Sequence, residues 1–510
     1  MAKSGIKISL RTGQPFHKCT IAIAVVVLVL TSLAAALLGG SAIPAGATPA
    51  SWTITPSPSF GNVQSYLEGV SCTTTSSCVA VGYEGLLGSY NTLIESWDGQ
   101  TWATVPSPNE GYESILTGVS CPDANFCVAV GYYAQDPDSQ GSQVLIETWN
   151  GSAWSIAQPP GLVSGYDILS AVSCTSSLSC VAVGVYLDSS GAFIAMSENW
   201  DGSTWELEPS AAVPGSSSYQ FEGVSCVRTT KPNPTCTAVG TNQTSGEAFI
   251  EVWDGRSWSL GRPGTTSDPN TALLSISCTS QNACLAVGTE YSFSAPPFGG
   301  LVESWDGTNW TVVSNPSGPG PSVILSGVSC VNATNCVAVG SFGGSDSTSY
   351  DTLVETWNGS TLAVVSSADS ESPTNELLGV SCGATDGPAQ CEAVGYFGTG
   401  SNDQGLVETG PGLSSCNQLT VTTSSMPEGT VGQPYSFALS ACGGIPPYTW
   451  NKYPPEGYGA NPPGLHVSTA GVLSGTPKKA GTYYFTLKVL DSTHSHKTQA
   501  TKSLDLVIDP

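Results

Sequence analysis

A cysteine-bearing segment returns along this chain at a nearly constant interval. Cys72, Cys121, Cys174, Cys226, Cys278, Cys330 and Cys382 open successive copies spaced 49, 53, 52, 52, 52 and 52 residues apart. Each copy reads approximately L-x-G-V-S-C, a short polar loop, C-V-A-V-G, a variable loop, L-I-E-x-W, Asp/Asn-Gly and a final strand carrying Trp. A period of this length means that each copy is one structural unit, which buries its apolar faces against its neighbours.

Within a copy the pattern predicts four β-rich runs of about five residues, divided by turn signals and free of helical periodicity. The Val-Ala-Val runs are apolar on both faces, as strands between two neighbouring sheets must be. A four-stranded unit repeated around an axis is a β-propeller. A β-solenoid, the competing architecture, would not need two hairpins per repeat. The chain ends decide how the ring closes. The last copy carries Leu406-Val407-Glu408-Thr409 and then stops at Gly410-Pro411, without its Trp-bearing strand. That strand stands at the other end, where Trp52 to Pro58 matches Trp102 to Pro108. The expected fold is therefore all-β: a seven-bladed β-propeller over 51–410, closed by the N-terminal strand, so that no sheet edge is left open.

The cysteines fit this frame. Cys72/Cys78, Cys121/Cys127, Cys174/Cys180, Cys278/Cys284 and Cys330/Cys336 are C-x5-C pairs, and Cys226/Cys236 and Cys382/Cys391 are the same pair with longer loops. Each is expected to staple the hairpin between the first two strands of its blade. Zinc is the competing use of paired cysteines, but the propeller contains no histidine.

The chain carries 14 Lys plus Arg against 39 Asp plus Glu, a net charge of −25. That excludes a nucleic-acid binder, which needs cations to displace counterions from phosphates. Lys3, Lys7, Arg11 and Lys18 precede an apolar run from Ile21 to Leu38, and Ala45-Gly46-Ala47 follows. This is the order of a secretory signal over 1–47, with a retained membrane anchor as the alternative. Cleavage would remove Cys19 and leave an even set of cysteines, as an oxidised, secreted or cell-surface protein requires.

Several recurring residues invite a functional reading. Glu95, Glu147, Glu198, Glu251, Glu303, Glu355 and Glu408 stand two positions before the Trp site of each copy. A residue needed in every blade is expected to solve a problem shared by every blade, such as satisfying buried backbone N–H groups. Asp98-Gly99, Asn150-Gly151, Asp201-Gly202, Asp254-Gly255, Asp306-Gly307 and Asn358-Gly359 read as hairpin turns. With their flanks, as in Ser96 to Trp102, they resemble the Asp-box hairpin of sialidase-type propellers, although that motif has one more residue between Asp and Gly. The resemblance would imply three convergent arginines from different blades. Residues 51–410 hold only Arg228, Arg256 and Arg262, all from the fourth copy and its border. Asp136, Asp138, Gln140 and Glu147, with Gly141 at the sixth position, have the spacing of a calcium loop. Calcium is the one cofactor the sequence suggests.

Composition shifts after a short linker, 411–416. Leu419 to Thr423, Gly432 to Phe437, Gly443 to Trp450, Gly471 to Pro477 and Gly481 to Asp491 resemble the putative-Ig (cadherin-like) module of bacterial exported proteins. The resemblance implies an Ig-like β-sandwich over 417–510, with Cys416 and Cys442 as a local disulfide. It also implies a spacer or adhesive role, in a bacterial extracytoplasmic protein.

In an up-down blade the stapled turns and Asp-Gly hairpins emerge on one face of the ring. The loops that differ in every copy emerge on the other, and specificity is built where a rigid scaffold varies. That face offers Tyr90, Tyr112, Tyr132, Tyr133, Tyr166, Tyr219, Tyr291 and Tyr350 among Asp, Ser and Asn. Some of these rings are expected to pack their own loops. The reading is a non-enzymatic binding or adhesion protein, acting as a monomer on a cell-surface glycan or protein. The alternative is an exported carbohydrate-active hydrolase or lyase using propeller carboxylates. A Ser-His-Asp triad cannot form within the propeller. His466, His494 and His496 lie in the Ig-like module without a nucleophile motif.

Overall fold

The computed structural model describes residues 52–411 and 419–510. Within these, the segments 59–62, 87–88, 138–140, 160–164, 230–232, 265, 267–269, 291–298, 314–321, 344–348, 384–389, 401, 422, 424–425, 440, 443–447, 454–461, 470 and 491–498 are not described. The signal segment, Tyr291, Asp138, Gln140 and Cys416 thus lie outside the described residues. The chain divides into two compact units, with the boundary between Gly412 and Leu413. Every regular element of the described residues is a strand. No helix among them is long and apolar enough to cross a membrane.

In the first repeat, Gln64–Thr74, Ser77–Leu86, Ser89–Trp97 and Trp102–Thr104 form one antiparallel sheet in chain order. The same meander runs from Glu113–Asp123 to Trp154–Ile156, from Asp167–Ser176 to Trp205–Pro209, from Tyr219–Val227 to Trp258–Leu260, from Thr271–Ser280 to Trp310–Val312, and from Ser322–Asn332 to Leu362–Val365. The first strands are about twice the expected length. The Val-Ala-Val runs continue pairing into the loops, as in Gln64 with Gly85. The fourth strands stay short, and Trp102–Thr104 has three residues.

The last repeat supplies Thr374–Gly383, Gln390–Gly398 and Gln404–Pro411, so Pro411 belongs to a strand rather than to the linker. Its free edge is taken by Thr53–Ile54 from the N-terminus, with Thr53 opposite Thr409 and Ile54 opposite Glu408. This is the register of the first repeat, where Ala103 faces Ser96 and Thr104 faces Glu95. Trp52 then stands where Trp102 does, and its indole fills the space that Gly410 leaves by having no side chain. A Cβ there would lie 2.2 Å from the ring.

The first strand of each sheet packs on the first strand of the next, and Thr374–Gly383 packs on Gln64–Thr74. The sheets therefore stand around an axis, as in a β-propeller. Each inner strand carries a bulge, between Leu67 and Gly69 in the first, and the three residues from the bulge onward, Glu68 to Val70 and their counterparts, line an axial cavity of about 180 Å³. The cores lie between sheets. Val81 and Ile94 pack with Leu116, Ala129 and Trp154 of the next repeat, and most of these are fully buried.

A polar ladder ties the same interfaces. The Ser of each G-V-S-C accepts a hydrogen bond from the Cys amide of the following repeat: Cys121 N donates to Ser71 Oγ, Cys174 to Ser120, Cys226 to Ser173 and Cys278 to Ser225, each at 2.9 Å. Cys330 to Ser277 is 3.0 Å and Cys382 to Ser329 is 3.1 Å. Cys72 to Ser381, at 2.9 Å, completes the circuit.

The disulfides pair as the spacing predicts: Cys72–Cys78, Cys121–Cys127, Cys174–Cys180, Cys226–Cys236, Cys278–Cys284, Cys330–Cys336 and Cys382–Cys391. The two members of a pair differ in environment. The first cysteine of each is half-buried. The second is in the core: Cys236 and Cys391 are 0% exposed, Cys127, Cys180 and Cys336 2%, Cys78 3% and Cys284 9%. The second strand is sandwiched between neighbouring sheets, so its cysteine packs among apolar side chains, as Cys127 does with Leu116 and Trp154. These seven sulfurs are therefore internal cross-links that shape a hairpin. In most repeats the first Trp of the hairpin covers the stapled turn. Trp97 Nε1 donates to Thr75 O at 3.3 Å and Trp305 Nε1 to Gln281 O at 2.9 Å.

The second unit is a β-sandwich. One sheet runs Gly429–Thr430, Gln499–Asp509, Gly481–Leu490, Thr449–Tyr453, and another runs Tyr435–Ala438, Val472–Gly475, Leu465–Val467. Phe485, Leu487 and Val489 alternate inward to meet Trp450, Leu473 and Leu506. His466 lies on the strand Leu465–Val467, and His494 and His496 fall outside the described residues.

Candidate ligand-binding face

The recurring carboxylates are structural. Each sits in the third strand of its sheet, essentially without solvent contact. Several of them bind the link that arrives from the preceding repeat. Ser107 Oγ donates to Glu147 Oε2 at 2.7 Å and Ser367 Oγ to Glu408 Oε2 at 2.6 Å. Ser57 donates to both oxygens of Glu95 at 2.9 Å. In two links a backbone amide does the same: Ala211 N donates to Glu251 at 2.8 Å and Gly264 N to Glu303 at 2.7 Å. Burial pushes these acids up, Glu95, Glu303, Glu355 and Glu408 to about 7 and Glu147, Glu198 and Glu251 to about 8. They are largely neutral in mildly acidic solution.

The Asp-Gly dipeptides are turns. Asp98 Oδ1 accepts the amides of Gln100 and Thr101 at 2.8 Å, and Gly99 takes a φ of 94°. Those amides hold the Asp98, Asp201 and Asp306 carboxyls below their usual range.

Of the residues with calcium-loop spacing, Asp136 and Glu147 fall on described residues. Glu147 lies within the strand Gln143–Trp149, buried and bonded to Ser107, so it cannot serve as the twelfth ligand of an exposed loop. Asp136 is exposed, and Asp138 and Gln140 lie outside the described residues. No group of three metal-ligating side chains occurs among the described residues.

The variable-loop tyrosines divide by environment. Tyr90 and Tyr219 are buried, at 3% and 6% exposure, so neither ring presents a binding surface. Tyr90 meets Tyr83 edge-on at 5.0 Å, and Tyr219 meets Phe249 at 5.8 Å. Tyr166 is half-buried on the edge of Phe193 at 5.4 Å. Tyr350 is half-buried beside Gly343. Tyr133 donates its hydroxyl to Gln143 Oε1 at 2.7 Å. Tyr112 is exposed.

The first, second and last repeats build an aromatic cluster that the loop-based list only partly contains. Tyr66 and Tyr83 stack at 4.8 Å, and Tyr396 meets Tyr66 edge-on at 5.0 Å. Tyr90 and Ile115 complete the buried part, with Tyr132 and Tyr396 half-buried against it. Carboxylates surround the rings. Tyr66 donates to Asp403 Oδ2 at 2.6 Å, and the Tyr396 hydroxyl is hydrogen-bonded to Glu376.

Glu68, which lines the axial cavity, acts electrostatically on Tyr66, Tyr83, Tyr132 and Tyr396. Burial first, and these carboxylates second, push all four phenols far above their ordinary range. Burial likewise raises Glu113 and Glu376. Residues Tyr83, Tyr132 and Tyr396 each follow the Gly of C-V-A-V-G, where other repeats have Val185, Thr241, Thr289 and Ser341. That contrast was the signal for the cluster. Tyr66 and the carboxylates carried none.

Several solved structures are similar to this chain at low identity. The structure of YCF48 bound to D1 peptide has a TM-score of 0.44 at 14% identity, covering 71% of this chain and 98% of that one. A protein of unknown function from Dyadobacter fermentans scores 0.40 at 12% identity, covering 71% and 98%. A lectin from Aleuria aurantia, in complex with α-methyl-L-fucoside, scores 0.35 at 12% identity, covering 70% and 93%. No curated protein matches the chain. Residues 418–506 match the Putative Ig domain family, so the second unit carries an Ig-like module.

Proposed function

We propose that this chain is an exported, non-enzymatic binding protein: a seven-bladed β-propeller that engages a surface glycan or protein through its variable-loop face. The observation that carries the reading is the tyrosine–carboxylate cluster at that face. Tyr132 and Tyr396 keep solvent-facing edges while Tyr66, Tyr83 and Tyr90 hold them rigidly from behind. Rigid aromatic rings beside acceptors suit ligands with flat apolar faces and donor groups, including sugars and protein side chains. The disulfides support an oxidising compartment.

The hydrolase alternative loses the recurring glutamates, which are buried, five of them on inter-repeat links, and would have to rely on Glu68, Glu376 or Asp403. A glycan array and a cell-wall pull-down with the whole chain test the proposal. Binding that falls at least tenfold in Tyr132→Ala and Tyr396→Ala supports it. Turnover of a glycoside that vanishes in Glu68→Gln or Glu376→Gln would replace it with the enzyme.

A further inference from the structure

The junction between the fourth and fifth repeats departs from its counterparts on the stapled face. Between the first and second repeats the same position encloses about 150 Å³, under Val79, Val105 and Trp154. Between the fourth and fifth it opens to about 440 Å³. The cause is legible in the residues. Gly261 occupies the place of Val105, and both donate their amides to the matching Ile, Ile250 or Ile94, at 2.8 Å. Thr237 replaces Val79 and gives the wall a hydroxyl. With the valine side chain gone, Trp310 is left half-buried, whereas Trp102, Trp154, Trp205 and Trp258 are buried at 5–8% exposure. Its ring packs on Trp305 at 5.6 Å, and both line the cavity.

Charge adds a second distinction. Residues 51–410 hold four cations against 34 acids, and the four, Arg228, Lys231, Arg256 and Arg262, lie close together in sequence, although Arg228 Nε donates to Thr175 O of the third repeat at 2.7 Å. Arg262 itself lines the cavity. Among the described residues, the nearby acids Asp306, Asp254 and Glu303 are occupied. Asp306 accepts the amides of Thr308 and Asn309 at 2.7 and 2.8 Å, and Asp254 those of Arg256 and Ser257 at 2.9 and 3.0 Å. Glu303 is buried beneath, on Gly264 N.

We propose that this cleft is a second binding site, for a carboxylate-bearing sugar unit of an acidic glycan. The Trp pair supplies a platform for a sugar face, and Thr237 and Asn309 supply short polar contacts. Arg262 pairs with the carboxylate, for which a guanidinium is geometrically suited. A cavity of this size holds one or two sugar rings.

The test uses the whole protein and follows Trp fluorescence and calorimetry during titration. The probes are digalacturonate, glucuronate, mannuronate oligomers and N-acetylneuraminate, with lactose as the neutral control. The expected result is binding of at least one acidic probe, with lactose at least tenfold weaker. Arg262→Gln should weaken the acidic probe on the order of tenfold, the size of a lost charge-assisted bond. Gly261→Val, which restores the side chain of the first repeat, should abolish binding while melting and thiol content stay unchanged. Tyr132→Ala, on the other face, should leave it intact, which separates this site from the one proposed above. Failure of every acidic probe, equal binding of lactose, or undiminished binding in Gly261→Val overturns the proposal.

Discussion

The amide of Cys72 donates to Ser381 Oγ across 309 positions of sequence, at 2.9 Å. It repeats, at the seam, the bond that joins every other pair of adjacent repeats, so the closing interface is built like the rest. Ser381→Ala should cost about 1 kcal/mol, the usual net worth of a neutral hydrogen bond. Ser225→Ala, at an interface the chain does not need to close, should cost the same. Denaturant titration of both variants checks this, and a much larger loss at Ser381 would show the seam to be the weak point.

Trp52 is the larger contributor at that seam. It is 1% exposed and packs with Val354, Leu377 and Leu406. Trp52→Ala should destabilise the propeller by about 3–5 kcal/mol, the range for emptying an aromatic core site. The matching change at Trp310, already half-buried, should cost clearly less. Chemical denaturation of the two variants side by side decides it.

Stability should depend on pH with a definite sign. The recurring glutamates have folded pKa values of about 7 or 8, above the ordinary carboxyl value of 4.5. Between those values the folded chain holds more protons than the unfolded chain, so stability falls as pH rises through that window. The turn aspartates act oppositely. Their carboxyls are held low, so their contribution is lost as pH falls below about 4. Melting temperature should therefore peak near pH 5 and decline toward pH 8. A curve still rising from pH 5 to pH 8 would contradict the buried-acid account.

The staples should act one at a time. Removing one short loop closure, by Cys72→Ser with Cys78→Ser, should cost about 2 kcal/mol by chain-entropy reasoning. Mass spectrometry of the denatured, unreduced wild-type propeller should find no free thiol in residues 51–410. Two or more would break the one-staple-per-repeat pattern.

Loop replacement separates the faces. A short Gly-Ser graft over Tyr132 to Gln143 should impair binding at the variable-loop face and change stability by only about 1 kcal/mol. Shortening Thr73 to Ser77 should lower stability and spare binding.

Repetition made the architecture legible, because any residue required in every copy announces its register. Cys and Asp-Gly are assigned to staple and turn by spacing alone, whereas the bond from Glu to the link and the cover that Trp gives the stapled turn depend on residues outside the motif. The Ser beside each Cys was equally regular, but its partner lies in the next repeat and is invisible to analysis within one copy. The candidate sites were hidden for the opposite reason. Tyr66 and Asp403 meet only because the ring closes, and Gly261 matters only as the absence of a valine. Tyr90 and Tyr219 looked like surface aromatics from their loops, yet the extended strands Ser89–Trp97 and Tyr219–Val227 draw them into the core.

The N-terminal strand also sets an order in time. Thr53 is among the first residues of the propeller to be synthesised, and its partner Thr409 comes 356 positions later. Until that partner arrives, the two end repeats present bare edges to any neighbouring chain. The final step is then a long-range search, which topology makes slow compared with forming the local hairpins. A newly made molecule must pass through an open arc before it becomes a ring, and crowding during that interval, more than the strength of any finished contact, would govern how much of it matures.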